Sequence, residues 1–246
     1  MLEGLRGDRL GDHRSRRALV VGHARGVGGV SDREATGAPA GSRPRLGSTG
    51  LGLGHLPKVV VRLAELLLET IPGQLRIPDP SLIVLVGAAG AGKSTLAARL
   101  FAPSEILSSD AYREAVSGDA ADQRATRLAF SILHRELEKR LAAGRLVVVD
   151  ATNVETAARR TLLERATRAC VPGIAIVLDL PATVVAARNA GRTGRIVDQV
   201  VVDRHLRRLA TALAADRLGA EGFAAVYVLR TATEVDALEF TRVLAG

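Results

Sequence analysis

The chain has few cysteine and aromatic residues. Its 246 residues include one cysteine, Cys170, no tryptophan and two tyrosines, and aromatic residues make up 2% of the total. A single cysteine cannot form an internal disulfide bond, which excludes a secreted fold stabilised by disulfide bonds. With 47% hydrophobic residues and so few aromatics, we expect the core to consist of leucine, valine and alanine.

Long apolar stretches are also missing. No apolar run approaches the roughly 18 residues that a membrane-spanning helix requires. Residues 1–9 are too charged and too interrupted to resemble a signal peptide. From these two features we expect a cytoplasmic protein that does not associate with membranes.

The net charge is +8 at pH 7, and arginine supplies most of the positive charge. An excess of basic residues favours polyanionic partners, because neutralised phosphates release their counterions. An arginine-rich, lysine-poor composition is equally consistent with coding bias. The charge alone therefore leaves the partner open.

The composition changes along the chain, and we predict three segments from it. Residues 1–56 are rich in Gly, Arg and Ser and lack periodicity, which predicts a disordered or poorly ordered extension. Residues 57–73 have the apolar spacing of a short helix. Residues 74–246 alternate between apolar runs and amphipathic stretches, which predicts an α/β domain with a mainly parallel sheet. The predicted strands are 82–86, 105–108, 145–149, 174–180 and 225–229, and the predicted helices are 93–101, 120–143, 155–170, 182–190, 197–218 and 233–244.

Residues 87–94 have the spacing G-x-x-x-x-G-K-S between a predicted strand and a predicted helix. This arrangement surrounds one anion with backbone N–H groups and the positive end of a helix dipole. Lys93 would reach the β- and γ-phosphates of a nucleoside triphosphate, and the Ser94 hydroxyl would bind Mg²⁺. The predicted nucleotide-binding residues are Gly87, Ala88, Ala89, Gly90, Ala91, Gly92, Lys93, Ser94 and Thr95.

Asp110 follows the second predicted strand, and Arg113 lies three residues later. At the carboxyl edge of the sheet, the Asp110 carboxylate could accept the proton of a hydroxyl that attacks phosphorus in line. Arg113 could bind an anionic group of the acceptor. The alternative is that Ser109 or Asp110 only caps a helix that begins near Ala111.

The third predicted strand ends at Asp150, which is followed by Thr152 and Asn153. An acid at this position is typical of the carboxylate that holds Mg²⁺ beside a phosphate-binding loop. Asp150 could instead orient that loop or the base. Asn153 could contact substrate, although capping of the next helix is equally compatible with its position.

Three arginines and two glycines follow the helix predicted over 182–190. The arginines are Arg188, Arg192 and Arg195, and Gly191 and Gly194 interrupt them. This pattern indicates a mobile lid whose cations close over the transferring phosphoryl group, with Arg192 and Arg195 the stronger candidates. A solvated, basic helix end is the alternative.

Between Ile77 and Arg230, about three-fifths of the sequence, the chain resembles the kinase domain of bacterial polynucleotide kinase-phosphatase, a P-loop phosphotransferase. The resemblance implies a five-stranded, mainly parallel P-loop NTPase sheet sandwiched by helices, with an arginine-bearing lid. It also implies transfer of the ATP γ-phosphate to a 5′-hydroxyl of RNA or DNA, with Mg²⁺. By this likeness Lys93 and Ser94 serve the phosphates and the metal, Asp110 is the general base, Arg113 binds a substrate phosphate, and Arg192 and Arg195 are the lid arginines. The matching segments are 77–80, 87–94, 107–113, 149–153, 188–195 and 221–223.

Two other functions fit the same motifs. The acid-Ala-Thr-Asn pattern of residues 150–153 also occurs in kinases of small molecules, so the acceptor could be a metabolite or a nucleotide-sugar. A module that binds ATP without transferring phosphate would also need the loop of residues 87–94. It would need neither Asp110 nor the arginine lid, which argues against it.

Overall fold

A computed structural model describes residues 20–21, 74–117, 123–192, 196–214 and 217–244. The predicted helix over 57–73 lies outside the described residues, as does the predicted extension over 1–56 except for Val20 and Val21. These two residues form a short strand that pairs antiparallel with Val226 and Tyr227.

The centre of the described chain is a twisted α/β sheet of six strands, five of them parallel. Numbered in chain order, the strands of the whole described chain are β1 Val20–Val21, β2 Gln74–Asp79, β3 Leu82–Gly87, β4 Ile106–Ser108, β5 Val147–Asp150, β6 Gly173–Leu178, β7 Ala225–Leu229 and β8 Glu239–Leu244. The six-stranded sheet has the order β1-β7-β6-β3-β5-β4, and its parallel pairs join β7, β6, β3, β5 and β4. The predicted fold class of five parallel strands between helices is therefore confirmed.

Helices connect these strands in the described parts of the chain. They are α1 Lys93–Leu100, α2 Ser109–Ser117, α3 Gln123–Ala142, α4 Thr156–Arg168, α5 Ala182–Ala190, α6 Gln199–Leu213, α7 Arg217–Ala220 and α8 Ala232–Asp236. The single helix predicted over 197–218 is wrong, because α6 ends at Leu213 and α7 begins only at Arg217. Among the described residues, no helix combines the length and apolarity needed to cross a lipid bilayer.

The sheet is covered on both faces, as its uninterrupted apolar strands require. Successive side chains of a strand point to opposite faces, and β3 shows this with every residue buried. Ile83 and Leu85 belong to one apolar cluster, which includes Leu96 of α1. Leu82, Val84 and Val86 belong to the other cluster, which includes leucines of α3 and α4. This double cover fixes the carboxyl ends of the strands, where the predicted site residues lie.

The final predicted helix, over 233–244, is wrong in its second half. The helix ends at Asp236, and Glu239–Leu244 (β8) pairs in parallel with Gln74–Asp79 (β2) as a separate two-stranded sheet. Phe240 stacks on Phe101 with ring centroids 4.9 Å apart. Arg242 also joins the sheet to Glu105, with guanidinium-to-carboxylate distances of 2.6 and 2.8 Å. The partner strand is about 165 residues distant in sequence, so local periodicity could not indicate it.

One fully buried cation joins the sheet edge to a distant turn. Arg159 of α4 has no exposed surface. Its Nε and Nη2 donate to the Glu221 carboxylate at 2.7 and 2.5 Å, and Nη1 donates to the Asn153 carbonyl at 2.8 Å. A buried charge requires such bidentate pairing to offset its lost hydration. Glu221, part of the family-like segment 221–223, therefore has a structural partner.

Candidate functional site

The predicted phosphate-binding loop joins β3 to α1 at the carboxyl edge of the sheet. Gly90 and Gly92 have φ values of +86° and +96°, which glycine tolerates better than any residue with a Cβ. The loop is packed against α5: a Cβ added to Gly90 would lie 2.7 Å from the Val185 carbonyl oxygen. At the other end α1 begins at Lys93, so its unpaired N–H groups face the loop. This is the geometry that cradles a phosphate.

We predict that Gly90→Ala distorts the loop and weakens nucleotide binding. The new Cβ would meet the Val185 carbonyl and the Asn189 Cβ, at 2.7 and 3.0 Å, and would also be held at a positive φ. We expect the Kd of a fluorescent ATP analogue to rise at least about tenfold, together with a lower unfolding temperature.

Gly144→Ala is the matched control, because Gly144 also has a positive φ, +65°, but no atom lies within 4 Å of an added Cβ. That variant should lose about 1–2 kcal/mol of stability and keep its nucleotide affinity. Equal nucleotide affinities in the two variants would contradict the role given to Gly90.

Lys93 is 7% exposed and lies inside the concave side of the loop. Its Nζ donates to the carbonyl oxygens of Gly87 and Ala88 at 3.0 and 2.8 Å. Burial lowers the pKa of Lys93 to about 8; the negative charge of Asp150 opposes this shift, whereas the positive charge of Arg192 adds to it. Burial destabilises the protonated amine, and a polyanion beside Nζ would stabilise that charged form.

Ser94 and Asp150 lie together beside Lys93. Burial raises the pKa of the Asp150 carboxyl, while a hydrogen bond from the Ser94 hydroxyl and the charge of Lys93 act in the opposite direction. A hydroxyl and a carboxylate are hard oxygen donors, which Mg²⁺ prefers. A cation here would also favour the ionised form of the buried acid. The donor set therefore fits the predicted metal site.

Asp110 and Arg113 lie at the adjacent strand end, on the first turn of α2. The Asp110 carboxylate pairs with the Arg113 guanidinium, and Arg113 Nε donates to the Ser109 carbonyl at 3.1 Å. The Ser108 hydroxyl accepts from the Ala111 N–H at 3.4 Å and so occupies the capping position. Neither Ser109 nor Asp110 is therefore needed as a cap, which removes the main alternative to a chemical role for Asp110.

Asn153, a predicted substrate contact, is buried at the end of β5. The residue is 5% exposed, and its Nδ2 donates to the Leu85 carbonyl of β3 at 2.8 Å. It does not cap α4 either, because the residue before that helix is Glu155 and no side chain caps it. Asn153 has a positive φ of 48°, and its buried amide ties the end of β5 to β3. The substrate contact of Asn153 stays a prediction, and the hydrogen bond to β3 is the role that the structure shows.

The predicted lid arginines are partly described. Arg192 is half-buried in the cleft, and its positive charge lowers the pKa values of Lys93 and Asp150. Arg188, the weaker candidate from sequence, donates from Nη1 to the Ala91 carbonyl of the loop at 3.3 Å. Arg195 lies outside the described residues, so its role stays a prediction.

Asn189, at the end of α5, joins that helix to Val197, a feature that sequence reasoning missed. Its Nδ2 donates to the Val197 carbonyl at 2.7 Å, and its Oδ1 accepts from the Val197 N–H at 3.2 Å. The side chain is 3% exposed and touches the α-carbon region of Gly90. The segment that carries Arg192 is thus anchored to the phosphate loop itself.

These side chains line one cleft of about 990 Å³. Among the predicted residues, the structure brings together Ala89, Gly90, Gly92, Lys93, Ser94, Thr95, Asp110, Arg113, Asp150 and Arg192. Sequence reasoning missed other residues that line the cleft, among them Arg99, Val201, His205, Val235 and Asp236. His205 of α6 thus lines the cleft, and its buried Nδ1 has no hydrogen-bond partner among the described residues.

The part of the chain that carries this site matches the model of a known protein family. A family model described as AAA domain (AAA_33) matches residues 82–215, more than half of the chain. The match begins with β3 and includes the phosphate loop, Asp110, Asp150 and the arginine segment. No curated protein shows significant similarity to the chain.

Solved structures with similar folds include kinases that act on different acceptors. A structure of the Pnkp1/Rnl/Hen1 RNA repair complex is 22% identical with a TM-score of 0.47, over 54% of this chain and 44% of that one. Shikimate kinase from Acinetobacter baumannii, in complex with shikimate, is 23% identical with a TM-score of 0.43, over 64% and 88%. A gluconokinase from Sinorhizobium meliloti is 19% identical with a TM-score of 0.41, over 65% and 88%. At TM-scores below 0.5, these likenesses give no information about the acceptor.

Proposed function

The chain belongs to the AAA domain family, and we propose that it is an ATP-dependent phosphotransferase whose acceptor is the 5′-hydroxyl of a polynucleotide. The observation that carries the proposal is that the phosphate loop after β3 and the acid that follows β4, two strands away in the sheet, line the same cleft. Asp110 lines the same cleft as Lys93, and its charge raises the pKa values of both Lys93 and Asp150. A module that only bound ATP would not need this second carboxylate.

The reaction assigned to Asp110 is proton abstraction from the acceptor. As the acceptor oxygen attacks the γ-phosphorus in line, a new O–P bond forms and the bond to the ADP oxygen breaks. The hydroxyl proton passes to the Asp110 carboxylate. Arg113, which holds that carboxylate in the present geometry, is placed to bind an anionic group of the acceptor.

The cations of the cleft stabilise the charge that develops on the transferring group. Lys93 lies at the phosphate loop, and Arg192 faces the same space from the anchored lid segment. Preorganised charges of this kind act on the equatorial oxygens without further reorganisation. Arg195 is proposed to join them from the same segment.

Ser94 and Asp150 are the residues that would hold Mg²⁺, Ser94 directly and Asp150 directly or through water. When bound, the ion would neutralise charge on the β- and γ-phosphates.

The exposure of Asp110 favours a polynucleotide end over a small metabolite. Its side chain is 61% exposed, so the carboxylate stands at the mouth of the cleft and not at the bottom of an enclosed pocket. A small acceptor is usually surrounded on most sides by its site. A strand end, in contrast, needs access from outside for the nucleotides that follow it.

The proposal is tested by incubating the protein with γ-labelled ATP and a panel of acceptors. The panel contains 5′-hydroxyl and 5′-phosphate oligonucleotides of RNA and DNA, together with sugars, shikimate and nucleotide-sugars. We expect label only on 5′-hydroxyl oligonucleotides, and none with the Lys93→Ala variant. Label on a metabolite alone would contradict the polynucleotide acceptor, and ATP binding with no transfer to any acceptor would contradict the kinase.

A further inference from the structure

We propose that a groove beside the active-site cleft, formed by α3 and α4, binds the nucleotides downstream of the reacting 5′-end as single-stranded nucleic acid. This inference rests on the proposed function. The groove has a volume of about 630 Å³. The residues that carry the inference are Arg127, Phe130, His134, Arg135, Glu138 and Arg165, and we refer to them as the α3 groove.

The α3 groove adjoins the cleft that contains Asp110, because the two cavities share a lining residue. Phe130 lines both cavities, with its half-buried ring between them. We infer that a strand whose terminal hydroxyl reaches Asp110 runs past Phe130 into the groove. Among the described residues, this is the one side chain that lines both spaces.

The charge of the groove suits a phosphate backbone. Three arginines line it against a single carboxylate, Glu138. That carboxylate is already engaged by Arg165 and Arg168, at 3.1 and 3.2 Å. Arg127 and Arg135 are exposed, and no ion pair joins either of them to another described residue. Two free guanidinium groups thus remain to bind an anion.

Their spacing on the helix favours an extended polyanion over a single phosphate. Arg127 and Arg135 are eight residues apart on α3, or about 12 Å along the helix axis. This separation is too large for both guanidinium groups to share one phosphate in a bidentate manner. Successive phosphates of one strand could engage them in turn.

The aromatic pair between these arginines provides surfaces for bases. The Phe130 and His134 rings lie 6.1 Å apart with planes inclined by 53°. Burial lowers the pKa of His134, Arg165 lowers it further and Glu138 opposes the shift, which favours the neutral imidazole. Neutral rings flanked by cations are typical of sites that bind single strands without sequence preference.

The test compares acceptors of different length in the full chain. Single-stranded 5′-hydroxyl oligomers of 2 and 12 nucleotides, in RNA and DNA series, are phosphorylated by the wild type, by Arg127→Ala/Arg135→Ala and by the control Arg207→Ala/Arg217→Ala. The control removes two exposed arginines that line neither cavity. Circular dichroism and unfolding temperatures establish that all three proteins are folded.

We expect the groove variant to raise the KM for the 12-mer at least tenfold and to leave the KM for the 2-mer within about twofold. The slope of log affinity against log salt should fall by about 1.4 for the 12-mer, or about 0.7 for each lost phosphate contact. The control should match the wild type. A KM that does not depend on length in the wild type, or equal behaviour of the two double variants, would overturn the inference.

Fluorescence anisotropy with a labelled 12-mer separates this inference from the proposed function, because it needs no catalysis. Binding that the groove variant loses and the control retains, without phosphorylation of any oligomer, would support the groove and reject the polynucleotide acceptor. Phosphorylation of oligomers with equal binding by both double variants would reject the groove and leave the kinase assignment in place.

Discussion

Replacing Asp110 by Asn is expected to reduce phosphoryl transfer by about 10²–10⁴-fold, the usual contribution of a general base. The amide cannot accept the hydroxyl proton, whereas its size and position are nearly unchanged. The affinity for ATP should stay within about threefold, because Asp110 belongs to α2 and not to the phosphate loop. Single-turnover rates with the best acceptor, together with the Kd of an ATP analogue, measure the two effects separately.

Glu114→Gln provides the matched control for Asp110→Asn. Glu114 is also exposed, lines the same cleft and lies one helical turn further along α2. That variant should keep its rate within about threefold. If Glu114→Gln lost the activity and Asp110→Asn kept it, the base would be misassigned. A large loss of ATP binding or of thermal stability in Asp110→Asn would instead show a structural role.

Replacing Lys93 by Ala is expected to lower both the rate and the affinity for the triphosphate. Removal of one preorganised, charged donor from a buried site reduces rates by about 10²–10³-fold. The amine is buried and lies beside the loop that receives the phosphates, so the ground-state complex should weaken as well. Both effects are followed by steady-state kinetics and by nucleotide titration.

The control for this variant is Lys139→Ala, which removes a lysine whose side chain is 79% exposed on α3. It lines neither cavity, and we expect wild-type kinetics. Normal activity in Lys93→Ala would refute the role of the loop.

The parallel sheet was largely predictable from the sequence, because strands covered on both faces are continuous apolar runs. The run over 82–86 is observed as Leu82–Gly87, and the strand predicted at 225–229 has those bounds. The phosphate loop and Asp110 were predictable from their positions directly after such strands. In a parallel sheet, all of these ends lie at one edge.

The remaining features depend on contacts between distant residues. β8 contradicts the helix predicted over 233–244, because the strand forms by pairing with β2, about 165 residues away in sequence. The roles of Asn153 and Asn189 depend on the carbonyls of Leu85 and Val197, which no local pattern indicates. His205 enters the cleft through the packing of α6 and not through a motif.

The most direct measurement is a crystal structure with an unreactive ATP analogue and Mg²⁺. We expect the triphosphate in the loop of residues 87–94, with the γ-phosphorus about 6 Å from an Asp110 carboxylate oxygen. This distance leaves room for one acceptor oxygen, which needs about 3 Å to each side. A γ-phosphate bound elsewhere, or an Asp110 carboxylate turned away from it beyond about 8 Å, would contradict the account.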